Sequence, residues 1–549
     1  MKKLLFVALL LPGIAFSQSK KEKKAREKND KIILQNLRTT VAYLADDRLE
    51  GRRTGTPGND AAAAYIAAAM QGAGLIPAGN DGFLQEFVID EGKKPGADNI
   101  LQVNNQTLQF QQDYIVLPFS PNVLVKGQVS TALNEVQQPW FTDIAPLLEE
   151  NRNNPHFSLT DALKTKAAKC AAKGATALFV HNSGNVPDHL VFDKNDSSSP
   201  VKIPVVYMQE ESFKKYLGNA ATTHKIDLLV SLAKELRKAR NVIGRIDNHA
   251  PATVVIGAHY DHLGRGEDGN TLDQNQEIHN GADDNASGVA AMLELAKLLQ
   301  SSPAKATANN YLFIAFTAEE LGLLGSKYWL EHPTIQTPLN YMINLDMVGR
   351  YDTARKLTVG GYGTTPVWSS VITAANTDNL VIKPDSSGSG PSDHAAFYRK
   401  NIPVLFFFTN SHADYHKATD DADKLNYEGE LQVIHYIHNI IQQADGQGKL
   451  AFLPTRDPQT GPSRSFTVSL GILPDYAFTG SGVRIEGVSQ GKAAEKTGLQ
   501  SGDVLLRLGD HPFVDIQGYM EALGKFRKGD RTTVTIRRGS ATQTYPITF

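Results

Sequence analysis

Imidazoles and carboxylates recur along this chain in short polar clusters that close apolar runs. In order they are His259-Tyr260-Asp261, then Gly281-Ala282-Asp283-Asp284-Asn285-Ala286-Ser287-Gly288, then Glu319-Glu320, then Asn344-Leu345-Asp346, and farther on Tyr415-His416. Imidazole nitrogen and carboxylate oxygen suit divalent zinc, and a catalytic zinc keeps one position open for water. Two such ions side by side clamp a bridging hydroxide and the oxyanion that forms on a carbonyl. That arrangement needs one carboxylate able to bridge and about two terminal ligands for each ion. His259, Asp284, Glu320, Asp346 and His416 fill the set, with Asp284, central in its polar loop, as the bridge. Asp261 stands two residues after His259 and can accept its ring N–H, fixing the tautomer. Glu319 precedes a ligand without being one. Beside the bridging water it can take the proton as general base and deliver it to a leaving amine.

Each cluster alone has a simpler explanation. Glu319-Glu320 can be a solvated helix start, Asp346 a strand-end cap, and the 281–288 loop a turn feeding a helix with Asn285 or Ser287 as cap. Their conjunction in one domain favours a metal centre.

The elements that must position these residues follow from the surrounding pattern. From Asn241 the chain alternates strand, loop and helix. Strands are predicted over 242–246, 252–258, 311–316, 341–344, 357–359 and 404–408, and helices over 286–300, 323–331, 366–375 and 429–443. The Val, Ile and Phe runs alternate little with polar residues. This predicts an α/β fold, a mostly parallel mixed sheet flanked by helices, with sites at the carboxyl ends of its strands. Upstream, residues 19–30 are rich in Lys with Glu and Asp and read as a solvated, frayed start. A helical period begins near Ile32, a polar loop spans 48–58, a helix covers 60–71 and a strand 83–89. Between about 110 and 236 the character changes to short strands, several Pro and one helix over 159–173, without an acid–base cluster of its own. A Pro-rich polar linker over 447–464 leads to a final unit of short strands and two helices over 465–549.

These pieces resemble the M28 family of zinc peptidases. The resemblance rests on the clusters above, on Phe316-Thr317-Ala318-Glu319-Glu320-Leu321-Gly322-Leu323-Leu324-Gly325-Ser326 and on Asn344-Leu345-Asp346-Met347-Val348-Gly349. It implies a zinc exopeptidase-like fold and two Zn2+ ions. One would be held by His259 and Asp346, the other by Glu320 and His416, with Asp284 between them. It also implies a cis peptide bond at Asp284–Asn285. The loop Gly390-Pro391-Ser392-Asp393-His394-Ala395-Ala396-Phe397 resembles one beside the substrate pocket; helix capping by Ser392 or Asp393 is the alternative. Relatives use a Tyr in the place of Tyr415 to donate to the oxyanion, and aromatic packing is the alternative here. Asp420 and Asp421 either orient His416 or hold its loop. Leu49-Glu50-Gly51-Arg52 matches the N-terminal part of the family, giving a peptidase domain over 31–109 and 237–446. The 110–236 insert resembles an α+β protease-associated domain, a type that covers the active-site cleft. The last unit resembles a β-rich PDZ domain whose loop Leu470-Gly471-Ile472 would receive a peptide C-terminus; a plain β-rich packing domain is the alternative.

The bulk properties bound what remains. A chain of 549 residues is too long for one core, and its net charge of −2 gives no basic field for nucleic acid or an anionic membrane. Met1-Lys2-Lys3, the apolar run to Phe16 and Ala15-Phe16-Ser17 read as a signal peptide over 1–17, too short to span a bilayer. This predicts a periplasmic or secreted protein. Cys170, the only cysteine, forms no intrachain disulfide and reads as a small buried hydrophobe. The expectation is an exported metal-dependent exopeptidase acting on peptides, an aminopeptidase in preference to a carboxypeptidase of the glutamate carboxypeptidase type. A single-zinc acyl transferase of the glutaminyl-cyclase type would need fewer ligands. A non-catalytic peptide-binding protein would be expected to lack a ligand or the base.

Overall fold

Runs that are apolar at consecutive positions can only be strands if both faces are covered. The computed structural model describes residues 20–549 apart from 153, 155–156, 195, 197, 274–275, 302–306, 355, 456–467, 475–480, 489–490, 515 and 540. The expected signal peptide and part of the 447–464 linker lie outside the described residues. Four of the apolar runs form Thr253–His259, Asn310–Phe316, Leu339–Leu345 and Val404–Phe408, parallel to one another at the centre of a nine-stranded sheet. His259 pairs with Phe316, Gly257 with Asn344 and Leu345 with Phe407, so the four carboxyl ends are level. Leu232–Ile246 and Leu357–Gly360 join this centre antiparallel, making the sheet mixed.

Alternate residues serve opposite faces. Val254, Ile256, Phe313, Ile343 and Phe407 pack with the helices Lys20–Leu44, Pro57–Gly72, Gly288–Ser301, Trp368–Ala375 and Tyr427–Asp445. Val255, Leu312, Ile314 and Met342 pack with Trp329 of Leu324–Glu331 and Phe397 of His394–Tyr398. Each such side chain, fully buried, contributes about 1.5–3 kcal/mol. The first helix starts at Lys20, where a frayed segment was expected. Lys, Glu, Ala and Arg are strong helix formers, so propensity carries the helix past its buried face.

A second unit comprises Val88–Lys238. It begins earlier than the 110–236 insert read from composition, because Ile100–Val103 pairs with His224–Val230. It contains two four-stranded sheets, one antiparallel and one with Pro139–Asp143, Ala177–His181 and Val205–Met208 parallel. Cys170 is a buried free thiol on the helix Leu159–Ala172. In the C-terminal region the strands Ile472–Pro474, Val483–Val488, Val504–Leu508, Arg531–Arg538 and Ala541–Thr548 follow one another across a sheet, and Ile472–Pro474 is its edge. Leu470, Ile485, Leu505, Val534 and Ile536 lie in its core.

Candidate metal centre

The level strand ends deliver the polar clusters to one place. His259 is the last residue of its strand, Asp346 follows Leu345, and Glu319 and Glu320 lie just beyond Phe316. The backbone turns sharply at these exits. Ala318, Met347 and His416 adopt φ of +58°, +51° and +53°, a left-handed conformation uncommon outside glycine.

Asp284 is set by a tightly packed loop. The Asp284–Asn285 bond is cis, as the resemblance implied. Gly281 has φ +55°, and a Cβ there would lie 2.1 Å from the Asp284 carbonyl oxygen; one on Gly288 would lie 2.3 Å from Asn285 Oδ1. Neither position admits a side chain without displacing the loop. Asp420 Oδ2 accepts the backbone N–H groups of Asp283 and Asp284 at 2.9 and 3.0 Å, and Arg350 secures Asp420 at 2.6 Å. Asn285 donates to the Leu345 carbonyl at 3.0 Å and accepts from the Met347 N–H at 3.1 Å, so it grips both neighbours of Asp346.

The five expected ligands converge. His259 Nε2 lies 3.3 Å from Asp284 Oδ1 and 3.4 Å from Asp346 Oδ1. His416 Nε2 lies 3.2 Å from Asp284 Oδ2 and 3.3 Å from Glu320 Oε2. A tetrahedral ion with ligands at about 2.0–2.1 Å has ligand–ligand edges of about 3.3 Å. The two imidazole–carboxylate edges of each group therefore match those of a zinc site, and each group uses a different oxygen of Asp284.

Around these, three roles read from the sequence change. Asp261 does not take the His259 ring N–H through its carboxylate, which is 3.8 Å from Nδ1; its backbone carbonyl is the partner, at 3.1 Å. The carboxylate instead accepts from Thr54 Oγ1 and from the N–H groups of Glu319 and Glu320, at 2.9, 3.2 and 3.4 Å. Asp393 makes no capping bond to its helix, and Ser392 Oγ accepts from Asn344 Nδ2 at 2.8 Å. Asp420 holds the Asp284 loop rather than the His416 ring, whose Nδ1 faces the Asn270 carbonyl at 2.9 Å. Tyr415 stacks on His416 with ring centroids 3.9 Å apart.

Two contributors were missed. His262 brings Nδ1 to 2.9 Å from Glu320 Oε1; its signal was its place three residues after His259. Arg52, fully buried, donates to the carbonyls of Leu44, Tyr260, Asn280 and Gly281. Only the family resemblance had drawn attention to it.

Carboxylates dominate the electrostatics. Burial opposes charge on His259, yet Asp346, Glu319 and Asp284 outweigh it and hold the ring well above the usual imidazole range. Burial likewise opposes ionisation of Asp284, but the imidazoles of His262, His259 and His416 hold it well below the carboxylate range. Glu319 is pushed well above that range by burial and by Glu320, Asp393 and Asp346. Burial pushes Asp393 up to about 7, with Asp261 and Asp346 adding to the shift. So many acids in one buried place call for cations, and the donor set fits a pair of divalent ions.

Residues 241–441 match the model of Peptidase family M28. Residues 460–548, C-terminal to that region, match that of the PDZ domain. Among curated proteins the chain is similar to aminopeptidase YwaD of Bacillus subtilis (strain 168), 31% identical over 51% of this chain and 57% of that protein. It is also similar to the probable lipoprotein aminopeptidase LpqL of Mycobacterium tuberculosis, 28% identical over 47% of this chain and 50% of that one. The chain thus spans about half the length of these relatives. Among solved structures, an aminopeptidase from Aneurinibacillus sp. strain AM-1 aligns at 21% identity and TM-score 0.41, over 79% of this chain and 98% of that one. The zinc aminopeptidase BSAP from Bacillus subtilis aligns at 21% and 0.42, over 78% and 96%.

Proposed function

We propose that this protein is a zinc-dependent exopeptidase that removes residues from the amino end of peptides. The observation that carries the reading is the shared Asp284, with His259 and Asp346 spaced for one ion about Oδ1 and His416 and Glu320 for another about Oδ2. The aminopeptidase names of the relatives support the choice of substrate end. When bound, the ions supply Lewis acidity to the scissile carbonyl and to water.

The chain's own residues do the rest. Glu319, whose carboxyl is pushed up by burial, takes a proton from water and hands it to the leaving amine. Asp261 fixes the backbone of both Glu319 and Glu320, so base and ligand keep their separation. Burial and the carboxylates of Asp284 and Glu320 hold the Tyr415 hydroxyl well above the usual phenol range; it stays protonated and donates to the oxyanion. We read Val88–Lys238 as a protease-associated domain. In the C-terminal unit the edge strand Ile472–Pro474, preceded by Leu470 and Gly471, receives a peptide C-terminus by strand addition. The 1–17 segment directs export to the periplasm or beyond. Among the described residues no helix is long and apolar enough to cross a membrane.

The test is a peptide-library digest read by mass spectrometry, with zinc and with a chelator. Successive loss of amino-terminal residues that stops on chelation is expected. Trimming from the carboxyl end would replace aminopeptidase with carboxypeptidase, and no cleavage by the zinc-loaded protein would overturn the reading. Glu319→Gln should keep zinc and lose about 10²–10⁴-fold in kcat; unchanged turnover would remove Glu319 from the base role.

A further inference from the structure

The ring of His262 is sealed beside the centre. Its backbone N–H donates to the Arg52 carbonyl at 3.3 Å, and the residue is 2% exposed. The ring presses on Gly281, where a Cβ would sit 2.4 Å from His262 Cδ2. It meets the His416 ring edge-on, with centroids 5.9 Å apart.

Two observations fix what this ring does. Nδ1 lies 2.9 Å from Glu320 Oε1, whereas Nε2 is buried without a hydrogen-bond partner. An ionised carboxylate only accepts, so Nδ1 must carry the proton. Distances also separate this histidine from the ligands. His262 Nδ1 is 3.9 Å from Asp284 Oδ2, too long for the edge of about 3.3 Å that two ligands of one tetrahedral zinc share. His416 Nε2 meets that edge with both Asp284 and Glu320.

We infer that His262 is a positioning residue that engages Glu320 Oε1 and so presents Oε2 alone to the second ion. The inference rests on the two-ion reading above. Its consequence is that Glu320 binds through one oxygen, which leaves a coordination position for water or substrate. Without the ring, Glu320 is free to turn and bind through both oxygens or neither.

The experiment measures zinc stoichiometry and affinity of the full chain by competition with a chromophoric chelator, alongside a thermal melt. Wild type should hold two ions. His262→Ala should weaken one of them about 10–100-fold and leave the other. His262→Asn, whose side-chain N–H falls near the place of Nδ1, should recover most of that loss, and His262→Gln should not. If His262→Ala fails to fold, the comparison of the Asn and Gln variants decides, and equal affinities in those two would overturn the inference. In the wild type, NMR of the ring nitrogens of zinc-loaded protein should show a proton on His262 Nδ1 and no zinc on either nitrogen. A His262 nitrogen on zinc would overturn it too. Wild type without zinc would instead refute the two-ion reading itself.

Discussion

Asp284 and Asp261 divide the work of the centre between them. The first offers one oxygen to each side; the carboxylate of the second touches no ligand side chain at hydrogen-bond distance but holds the N–H groups of Glu319 and Glu320 at 3.2 and 3.4 Å. Replacing Asp261 with Asn exchanges one acceptor for a donor facing an N–H. Asp261→Asn should therefore lower kcat about 10–100-fold while thermal stability changes little, checked by steady-state kinetics and a melt. An unchanged kcat would show that the Glu319–Glu320 backbone needs no such hold. At this scale the sequence was most informative for His259, Glu320 and Asp346, which lie at the ends of strands whose apolar runs are visible. It was weakest for residues that act on ligands. Asp261 was expected to use its carboxylate on His259, but the turn after the strand brings its carbonyl there. His262 went unread because five ligands already completed the set.

At the scale of elements, one buried guanidinium ties the centre's segments together. Arg52 donates to carbonyls at the end of the first helix, after the His259 strand and before Asp284. Burial pulls its pKa down to about 10, countered by Asp284, Asp261 and Asp420, so it stays charged. Arg52→Leu leaves four buried carbonyls without this donor and should cost at least about 3 kcal/mol, read from urea unfolding; Arg52→Lys should restore part of it. A loss below about 1 kcal/mol would mean that water replaces the guanidinium. The parallel strands and the helices between them were legible because buried strands read as unbroken apolar runs. Their margins were not. Leu232–Ile246 begins ten positions before the expected start at 242, because its first half alternates weakly and lies in the paired strands leading from the inserted unit. The helix from Lys20 is set by propensity, which an apolar period does not detect.

At the scale of the molecule, stability should depend on pH through a histidine outside the ligand set. His394 is 1% exposed, stacked on Phe406 with centroids 4.3 Å apart. Burial, aided by Arg399, pulls its pKa down to about 3. An unfolded chain takes this proton near 6.5, while the folded one resists it until about 3. The unfolded state then binds more protons across that window, so this contribution is complete above 6.5 and is lost as pH falls toward 3, at about 1.4 kcal/mol per pH unit. His394→Leu should flatten the slope of stability against pH by about that amount; parallel slopes would refute it. That the stretch from about 110 to 236 differs from its flanks was readable from a change of composition. The insert's true start at Val88 was not, because the pairing of Ile100–Val103 with a strand more than a hundred residues later leaves no local signature.

The proposed chemistry requires a pair of ions sharing Asp284. Anomalous diffraction at the zinc edge, from crystals of the full chain grown with zinc, tests it most directly. Two peaks are predicted, one bounded by His259 and Asp346, the other by Glu320 and His416, with an Asp284 oxygen on each. A single peak, or peaks that leave Asp284 uncoordinated, would contradict the account.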